Sequence, residues 1–220
     1  MSGILQNFAY GRSFGFPNGW PVANIGAAYG GGFFAGQINV SGTKYNLVVA
    51  PKASGEDSGK TWGTYGVTTG ISSVINGPTN SASLAALGAA YQPAVFCEGL
   101  TIGGYSDWYL PAKNELEVLY YFLKPTTTAN STSFGSNANA VAPEPISTSY
   151  TSGSPAQTGA GIGFRTGETD AFASDRYWSS SEDTGFPAEA AFTGFFSNGS
   201  QGNTTKSDAY YVRAVRRVLA

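Results

Sequence analysis

The sequence predicts an α+β fold in which two helices accompany short antiparallel sheets and long loops. Residues 112–123 show the apolar spacing of a surface helix, and strand-like segments lie towards both ends of the chain. The intervening sequence is polar and rich in Ser, Thr, Asn and Gly (30 Gly residues), a composition typical of turns. The 220 residues allow one large domain, or one domain with a small attachment segment.

Composition argues against several classes of function. The chain has 12 Lys and Arg against 14 Asp and Glu, so it lacks a broad basic field and we expect no nucleic-acid partner. Its lack of histidine removes the usual general base near neutral pH. Cys97 is the single cysteine, which excludes an internal disulfide, and we expect it to be a small buried apolar residue. The sequence shows neither a signal peptide nor a stretch long enough to cross a membrane, which indicates synthesis in a cytoplasm without membrane insertion.

The chain is predicted to divide at about residue 80. Residues 1–80 would form an N-terminal attachment or oligomerisation segment, and residues 81–220 would form the main domain. Continuity of the first segment with the main domain stays open as the alternative.

Within the first segment, residues 33–50 are predicted to form a β-hairpin. Both halves are β-rich, and Ser41-Gly42 between them is a typical turn dipeptide. Residues 51–80 are predicted to be a polar loop, which contains Trp62 and Tyr65.

Two helices are predicted next. Residues 81–97 contain helix formers, with Ser81 or Ser83 as the candidate cap and Pro93 as a break or kink. Residues 112–123 form the stronger helix, with Pro111 suited to its first turn. The apolar stripe of the second helix is Leu116, Leu119, Tyr120 and Leu123.

The remainder is predicted to be a long loop followed by strands. Residues 125–176 lack a clear pattern, although several short strands there stay open as an alternative. Residues 176–183, 188–198 and 209–220 are β-rich and are predicted to be three strands. A polar connection separates the last two of them.

The order of three motifs resembles a known domain family. These motifs are GGYSDWYLPAKNELEVL, YWSSSED and YYVRAVRRV. They resemble the W-x-L-P-x-x-x-E-L, Y-W-S-S-[ST]-E and V-R-x-V-R pattern of C-type-lectin-like domains in bacterial and phage proteins. The matching residues are Trp108, Leu110, Pro111, Glu115, Leu116, Tyr177, Trp178, Ser179, Ser180, Ser181, Glu182, Val212, Arg213, Val215 and Arg216.

The resemblance covers about residues 80–218 and implies a C-type-lectin-like fold. It also implies relatedness in fold to formylglycine-generating enzymes and to the variable proteins of diversity-generating retroelements. The upstream sequence GGGFFAGQI…YNLVVAPKASGE is similar to a leader that often precedes this domain in tailed-phage virion proteins.

The sequence YWSSSED allows several interpretations. A serine nucleophile needs a base, and no lysine spacing suggests a Ser–Lys pair. Glu182 and Asp183 would point to opposite faces of a strand rather than across one sugar. We therefore expect no enzymatic activity; the cysteine-pair chemistry of formylglycine-generating enzymes is excluded because Cys97 stands alone.

Calcium is the one cofactor that the sequence leaves open, and we expect no metal otherwise. Lectins of the resembled fold bind sugar through a Glu-Pro-Asn loop, whereas here Glu144-Pro145 is followed by Ile146. The candidate oxygen ligands are Glu182, Asp183, Asp170 and Asp175.

The favoured interpretation of YWSSSED is a structural clamp. Trp178 would lie in the core, and the three serines would satisfy backbone groups. Glu182 would pair with Arg213 or Arg216 of the terminal strand. In a continuous strand, Arg216 would interrupt an apolar row, and a buried arginine needs an acidic partner.

In the resembled variable proteins, the ligand contacts the last loops of the fold. By position, this implies a binding surface between residues 186 and 210, where aromatic and amide side chains suit sugars or proteins. An ordinary solvated loop is the alternative. The candidate residues are Phe186, Glu189, Phe192, Asn198, Ser200, Gln201, Asn203, Thr204 and Lys206.

The resemblance implies a non-enzymatic virion protein of a tailed phage. We expect a tail-fibre or spike tip that binds a host cell-surface glycan or protein. Its other partners would be further phage virion proteins and copies of itself, with a homotrimer combining weak sites. A capsid-decoration or fibre protein is the first alternative, and a hydrolase of surface polysaccharide is the second.

Overall fold

The computed structural model describes residues 25–141 and 148–220, which form a mostly β structure. Within these ranges the chain forms two five-stranded sheets and four helices. The expected C-type-lectin-like α+β arrangement with two helices is therefore wrong. Polar segments that the sequence pattern predicts to be loops pair as strands. One segment that is predicted to be a single helix forms two separate helices.

The first sheet joins the N-terminal hairpin to the C-terminal strand. Its order is β1-β2-β3-β10, with β5 also paired to β2, and all pairings are antiparallel. Its strands are β1 (Ala28–Tyr29), β2 (Gly32–Val40), β3 (Thr43–Val49), β5 (Ala140–Val141) and β10 (Val215–Leu219). The hairpin shares this sheet with the C-terminal strand, and the attachment role of residues 1–80 stays a prediction.

The second sheet has the order β4-β9-β6-β7-β8. Strands β6 and β9 pair in parallel, and the other neighbours are antiparallel. Its strands are β4 (Glu56–Thr61), β6 (Arg176–Glu182), β7 (Ala190–Phe195), β8 (Gln201–Thr205) and β9 (Ala209–Arg213).

The predicted β-hairpin is confirmed. Strands β2 and β3 meet at Ser41 and Gly42, whose φ angles are 52° and 90°. Positive φ at both central residues is the feature of a type I′ turn, whose twist matches that of the flanking strands.

The predicted helix over residues 81–97 is two helices separated by residues 87–91, so the predicted break or kink at Pro93 is wrong. The helices in chain order are α1 (Lys52–Gly55), α2 (Gly77–Ala86), α3 (Gln92–Glu98) and α4 (Lys113–Leu123). Pro93 lies in the first turn of α3, where its missing N–H leaves no intrahelical bond unmade. Ser81 and Ser83 lie inside α2, so neither is its cap; the Ser81 hydroxyl accepts from the Leu110 amide at 3.0 Å.

Helix α4 forms as predicted, but Pro111 precedes it rather than lying in its first turn. Two side chains satisfy amides at its start. The Glu115 carboxylate accepts from the Ala112 amide at 2.8 Å, and the Ser181 hydroxyl accepts from the Lys113 amide at 3.0 Å. Ser181 thereby ties β6 to α4.

The predicted core residues are buried. Leu116, Leu119 and Leu123 of α4 pack in one apolar cluster with residues of both sheets. Trp108 and Trp178 lie in a second cluster that also contains Trp62, Leu110 and Cys97. The Trp178 Nε1 atom donates to the Lys60 carbonyl at 2.7 Å. The ring is therefore buried in the apolar cluster while its N–H group keeps a hydrogen bond.

The predicted C-terminal strand over residues 209–220 is divided at Ala214. Strand β9 belongs to the second sheet and β10 to the first, so the two sheets meet at this break. The polar connection before it contains β8, which pairs with β7 through five residue pairs. Backbone pairing, rather than apolar patterning, makes this segment a strand.

The long loop after α4 is held by a buried lysine. The Lys124 ammonium group donates to the Thr128 and Pro155 carbonyls and to the Asn130 side-chain oxygen. Burial lowers the pKa of Lys124. Apart from the two residues of β5, the described part of residues 125–175 contains no assigned strand or helix.

Candidate functional site

A pocket of about 290 Å³ opens at one end of the β7–β8 pair. Two aromatic rings, Tyr65 and Phe186, stand at its rim, and each is 57% exposed. Aromatic rings beside a concave pocket that also holds polar groups are a common feature of binding sites, which makes this pocket the leading candidate site. Its lining consists of Tyr65, Phe186, Glu189, Ala190, Asn203, Thr204 and Thr205.

The two rim loops are joined to each other. The Gly66 amide donates to the Ala188 carbonyl at 2.8 Å, which connects the loop of Tyr65 to the loop of Phe186. Gly66 has a φ of +83°, in the left-handed region that favours glycine.

A buried ion pair connects the same two loops from within. The Lys206 ammonium lies 2.6 Å from Glu182 Oε1, and both side chains are almost completely buried. The same ammonium donates to the Val67 carbonyl at 2.7 Å and to the Pro187 carbonyl at 2.6 Å. Lys206 therefore uses its three N–H groups on one residue of each loop and on Glu182.

Glu182 completes this brace with its remaining acceptor sites. Its Oε1 accepts from the amide and hydroxyl of Thr69, and its Oε2 accepts from the Gly70 amide at 2.8 Å. Burial acts to raise the pKa of Glu182, but the hydrogen bonds from Lys206, Thr69 and Gly70 outweigh it and hold that pKa below its usual value. We call Glu182 and Lys206 with these contacts the loop brace.

The polar groups of the pocket include hydrogen-bond acceptors. The Asn203 amide nitrogen donates to the Asp183 carboxylate, which leaves the Asn203 side-chain oxygen as an acceptor. The Thr204 hydroxyl is buried without a hydrogen-bond partner among the described residues. The Glu189 carboxylate has neither an ion pair nor a hydrogen bond with any residue in the described ranges.

The structure brings together only part of the predicted ligand-binding set. Phe186, Glu189, Asn203 and Thr204 line the pocket. Lys206 lies beneath it, with its ammonium group buried in the loop brace, so a contact between this group and a ligand is not supported.

The rest of the predicted set lies elsewhere on the β7–β8 pair. Asn198 and Ser200 belong to the turn at its opposite end, where β8 begins with Gln201. The Phe192 ring carries the Lys113 ammonium 4.4 Å from its centroid. The sequence pattern predicted a loop at Tyr65 but did not assign this residue to the site. The feature that could have identified it is an aromatic residue directly before a glycine in a polar segment.

The predicted clamp between Glu182 and Arg213 or Arg216 is wrong. Arg213 pairs instead with Glu56 at 2.9 Å and with Asp170 at 3.6 Å. Arg216 pairs with Asp107 at 2.7 Å. The break at Ala214 is the reason, because it places the two arginines in different sheets, whereas Glu182 lies at the far end of β6 beside Lys206.

The predicted buried position of Trp178 is confirmed, and two of the three serines bind backbone groups as expected. The Ser179 hydroxyl donates to the Phe192 carbonyl at 2.9 Å, and the Ser181 hydroxyl donates to the Ser73 carbonyl at 2.8 Å. The Ser180 hydroxyl has no hydrogen-bond partner in the described part of the chain. All three serines are fully buried, which leaves none of them open to a substrate in this structure.

The carboxylates considered as calcium ligands do not form one group. Glu182 belongs to the loop brace, and Asp170 accepts from the Lys52 amide and lies near Arg213. Asp183 binds Gly185 and Asn203, and Asp175 accepts from the Arg176 amide. Across residues 25–141 and 148–220, no three or more acidic or cysteine side chains are grouped to hold a metal ion. Glu144, Pro145 and Ile146 lie outside the described residues.

A larger pocket of about 390 Å³ lies at the C-terminal end of α4. Tyr121, Phe122 and Ile162 make much of its lining apolar, and the lining contains no charged residue among those described. Ile25 also lines this pocket and is the first described residue, since residues 1–24 lie outside the described ranges. The smaller pocket combines exposed rings with charged and amide groups, so we place the candidate site there.

A family model described as the Lcl C-terminal domain matches residues 60–216, well over half of the chain. No curated protein matches the sequence. The matched range begins near the end of β4, includes the candidate pocket and ends within β10. Within the described ranges, none of the helices is both long and apolar enough to cross a membrane.

Proposed function

We propose that this chain, which belongs to the Lcl C-terminal domain family, is a phage-associated, tail-fibre-like protein that binds a host cell-surface receptor. Membership of the family supports the phage-associated part of the proposal. The receptor would be a glycan or a protein, and the chain would act by binding without catalysing a reaction. The place of action would be the virion.

One observation carries the binding role: Tyr65 and Phe186 stand exposed over a pocket whose two loops are fixed by the loop brace. An aromatic ring offers stacking area with few rotatable bonds, so it loses little conformational entropy on binding. Holding both loops in place before binding reduces the ordering cost further. Glu189 and Asn203 supply polar groups beside the rings.

The polar groups that could suggest an enzyme are buried or already hydrogen-bonded. The serines of β6 are buried, and the carboxylate of Glu182 is bound by Lys206, Thr69 and Gly70. Glu189 is the unpaired carboxylate of the pocket, whereas hydrolysis of a sugar ordinarily uses two facing carboxyl groups. These facts support a binding role over a hydrolytic one.

The test is adhesion of fluorescently labelled protein to whole cells from a panel of bacterial strains, measured by flow cytometry. We expect at least one strain to bind the native protein and the double variant Tyr65→Ala/Phe186→Ala to lose most of that signal. Leu87→Ala is the matched control, because Leu87 is also exposed, at 54%, but is not part of the pocket lining. Equal adhesion of the double variant and the native protein would reject this surface as the receptor site.

A further inference from the structure

The candidate pocket presents negative charge and acceptors without an available cation. Glu189 contributes a carboxylate that no described residue neutralises by direct contact. Asn203 contributes a side-chain oxygen, because its amide nitrogen is turned to Asp183. A ligand that satisfies these groups has to bring hydrogen-bond donors.

Neither Lys206 nor Lys113 provides a cation to the pocket. Lys206 donates its three N–H groups to the Val67 and Pro187 carbonyls and to the Glu182 carboxylate, so no N–H group remains to bind a ligand in the pocket. The Lys113 ammonium group lies 4.4 Å from the centroid of the Phe192 ring, and Lys113 is not part of the pocket lining. Glu189 is left as the uncompensated charge of the pocket lining.

The rim adds two aromatic faces to this carboxylate. The faces of aromatic rings carry negative electrostatic potential and attract ammonium groups, most strongly where water is displaced. A carboxylate beside such rings gives the same cation a charge-assisted hydrogen bond. Tyr65, Phe186 and Glu189 line one pocket and provide both kinds of contact.

We propose that this pocket binds a sugar unit that carries a free ammonium group. The inference rests on the proposed receptor-binding function and names the ligand class for that site. The ammonium group contacts Glu189 and the aromatic rim, while a hydroxyl of the same sugar donates to the Asn203 side-chain oxygen. The pocket of about 290 Å³ suits one small unit.

A lysine side chain from a protein receptor has an ammonium group but fits the remaining lining less well. Its stem is four methylene groups and carries no hydroxyl, so it would leave the Asn203 side-chain oxygen without a donor from the ligand. The Asn203 acceptor beside Glu189 therefore favours an amino sugar over a lysine.

The experiment is an NMR titration of the ¹⁵N-labelled full chain at about pH 6, where a typical amine is protonated. Three probes are compared: methyl glucosaminide, methyl glucoside and Nα-acetyl-lysine amide. The two glycosides differ by an ammonium group in place of a hydroxyl. We expect the glucosaminide to bind at least about tenfold more tightly than the glucoside, with the largest shifts at amides of the pocket.

Variants assign the preference to residues. Glu189→Gln should reduce the glucosaminide affinity about tenfold and leave the glucoside affinity unchanged. Its matched control is Glu98→Gln, which removes an exposed carboxylate from α3, outside the pocket lining, and should change neither affinity. Phe186→Ala should weaken both sugars, because both stack on the ring.

The outcomes separate this inference from the proposed function. Equal affinity for the two glycosides, or tighter binding of the lysine amide, would overturn the amino-sugar inference. If no probe bound while Tyr65→Ala/Phe186→Ala still abolished cell adhesion, the inference would fail and the receptor site would stand. If the double variant also adhered normally, both would fail.

Discussion

The Lys206 ammonium lies 2.6 Å from the Glu182 carboxylate beneath the candidate pocket, and neither group reaches solvent. A buried ion pair resists loss of either partner, because the remaining charge is left without compensation. This pair also supports the loops of Tyr65 and Phe186 through the Val67 and Pro187 carbonyls. Fold stability and pocket shape therefore depend on the same contact.

The first prediction concerns that ion pair. Lys206→Met should lower the free energy of unfolding by about 3–5 kcal/mol, since Glu182 would stay buried and unpaired. The measurement is urea denaturation followed by circular dichroism. Lys44→Met is the control, because the Lys44 side chain is exposed, and we expect a change under about 0.5 kcal/mol.

A double variant distinguishes the ion pair from general damage. Lys206→Met/Glu182→Gln removes both charges, so its destabilisation should be smaller than the sum of the two single changes. Strict additivity would show that Lys206 and Glu182 do not interact energetically. Hydrogen exchange at the Gly70 amide, a donor to Glu182, should accelerate in each single variant.

The second prediction compares two arginines that the sequence pattern treats alike. Arg213 is buried between Glu56 and Asp170, whereas Arg216 pairs with Asp107, which is 55% exposed on its side chain. Arg213→Met should destabilise the fold by about 3–5 kcal/mol, because it leaves Glu56 unpaired in a largely buried position. For Arg216→Met the lost ion pair should contribute only about 1 kcal/mol, since solvent screens Asp107.

Urea denaturation of the two variants under the same conditions provides the comparison. Both substitutions remove a cation and shorten a long side chain in neighbouring strands, so each is the control for the other. Equal losses would contradict the separation of the two ion pairs by burial.

Sequence patterns predict some elements because the information is local. Helix α4 follows from the spacing of its leucines, and the first hairpin follows from Ser41-Gly42 between two β-rich segments. Strands β4 and β8 could not be predicted in this way. Their sequences, EDSGKT and QGNTT, are polar, and they are strands because β9 and β7 offer backbone partners.

Part of the lining of the candidate pocket was predicted from the sequence, whereas the contacts that support the pocket were not; a ligand-binding role of these residues stays a prediction. Phe186 and Asn203 lie on segments near each other in sequence, so their joint contribution was foreseeable. Tyr65 reaches the same pocket from a loop more than a hundred residues earlier, which only the tertiary fold determines. Lys206 has the sequence context of an exposed loop lysine, and its burial depends on Glu182 and two distant carbonyls.

The third prediction concerns pH and Glu117. Burial raises the pKa of Glu117 to about 7, although hydrogen bonds from Tyr150 and Asn137 act in the opposite direction. Between an unfolded pKa of about 4.3 and this folded value, the folded state binds more protons than the unfolded state. The contribution of Glu117 to stability therefore falls as pH rises through this window.

Glu117→Gln removes that titration. Urea denaturation at pH 5 and at pH 8 gives the free energy of unfolding at each pH. The decrease of this free energy from pH 5 to pH 8 should be smaller in the variant than in the native chain by about 3 kcal/mol. Glu98→Gln serves as the control, because Glu98 is exposed, and it should leave the native pH dependence unchanged. An unchanged pH dependence in Glu117→Gln would show that Glu117 titrates normally in the folded chain.

The fourth prediction tests whether the rim loops are held in place before a ligand arrives. Gly66 has a left-handed φ of +83° and donates its amide to Ala188, and a Cβ at this position would meet no atom within 4 Å. A side chain at this position would therefore not clash with its neighbours. The cost of substitution comes from the left-handed backbone conformation, which residues with a Cβ atom rarely adopt. Gly66→Val should strain the loop by about 1–2 kcal/mol or shift it, which displaces Tyr65 from the rim.

Asparagine adopts left-handed φ more readily than valine does, so Gly66→Asn is the matched control. We expect Gly66→Val to weaken adhesion to a strain that the native protein binds, and Gly66→Asn to retain most of it. Circular dichroism and urea denaturation establish that both variants are folded. If Gly66→Val adhered as well as Gly66→Asn, the orientation of Tyr65 would not depend on the Gly66–Ala188 hydrogen bond, and a fixed rim would not be needed for binding.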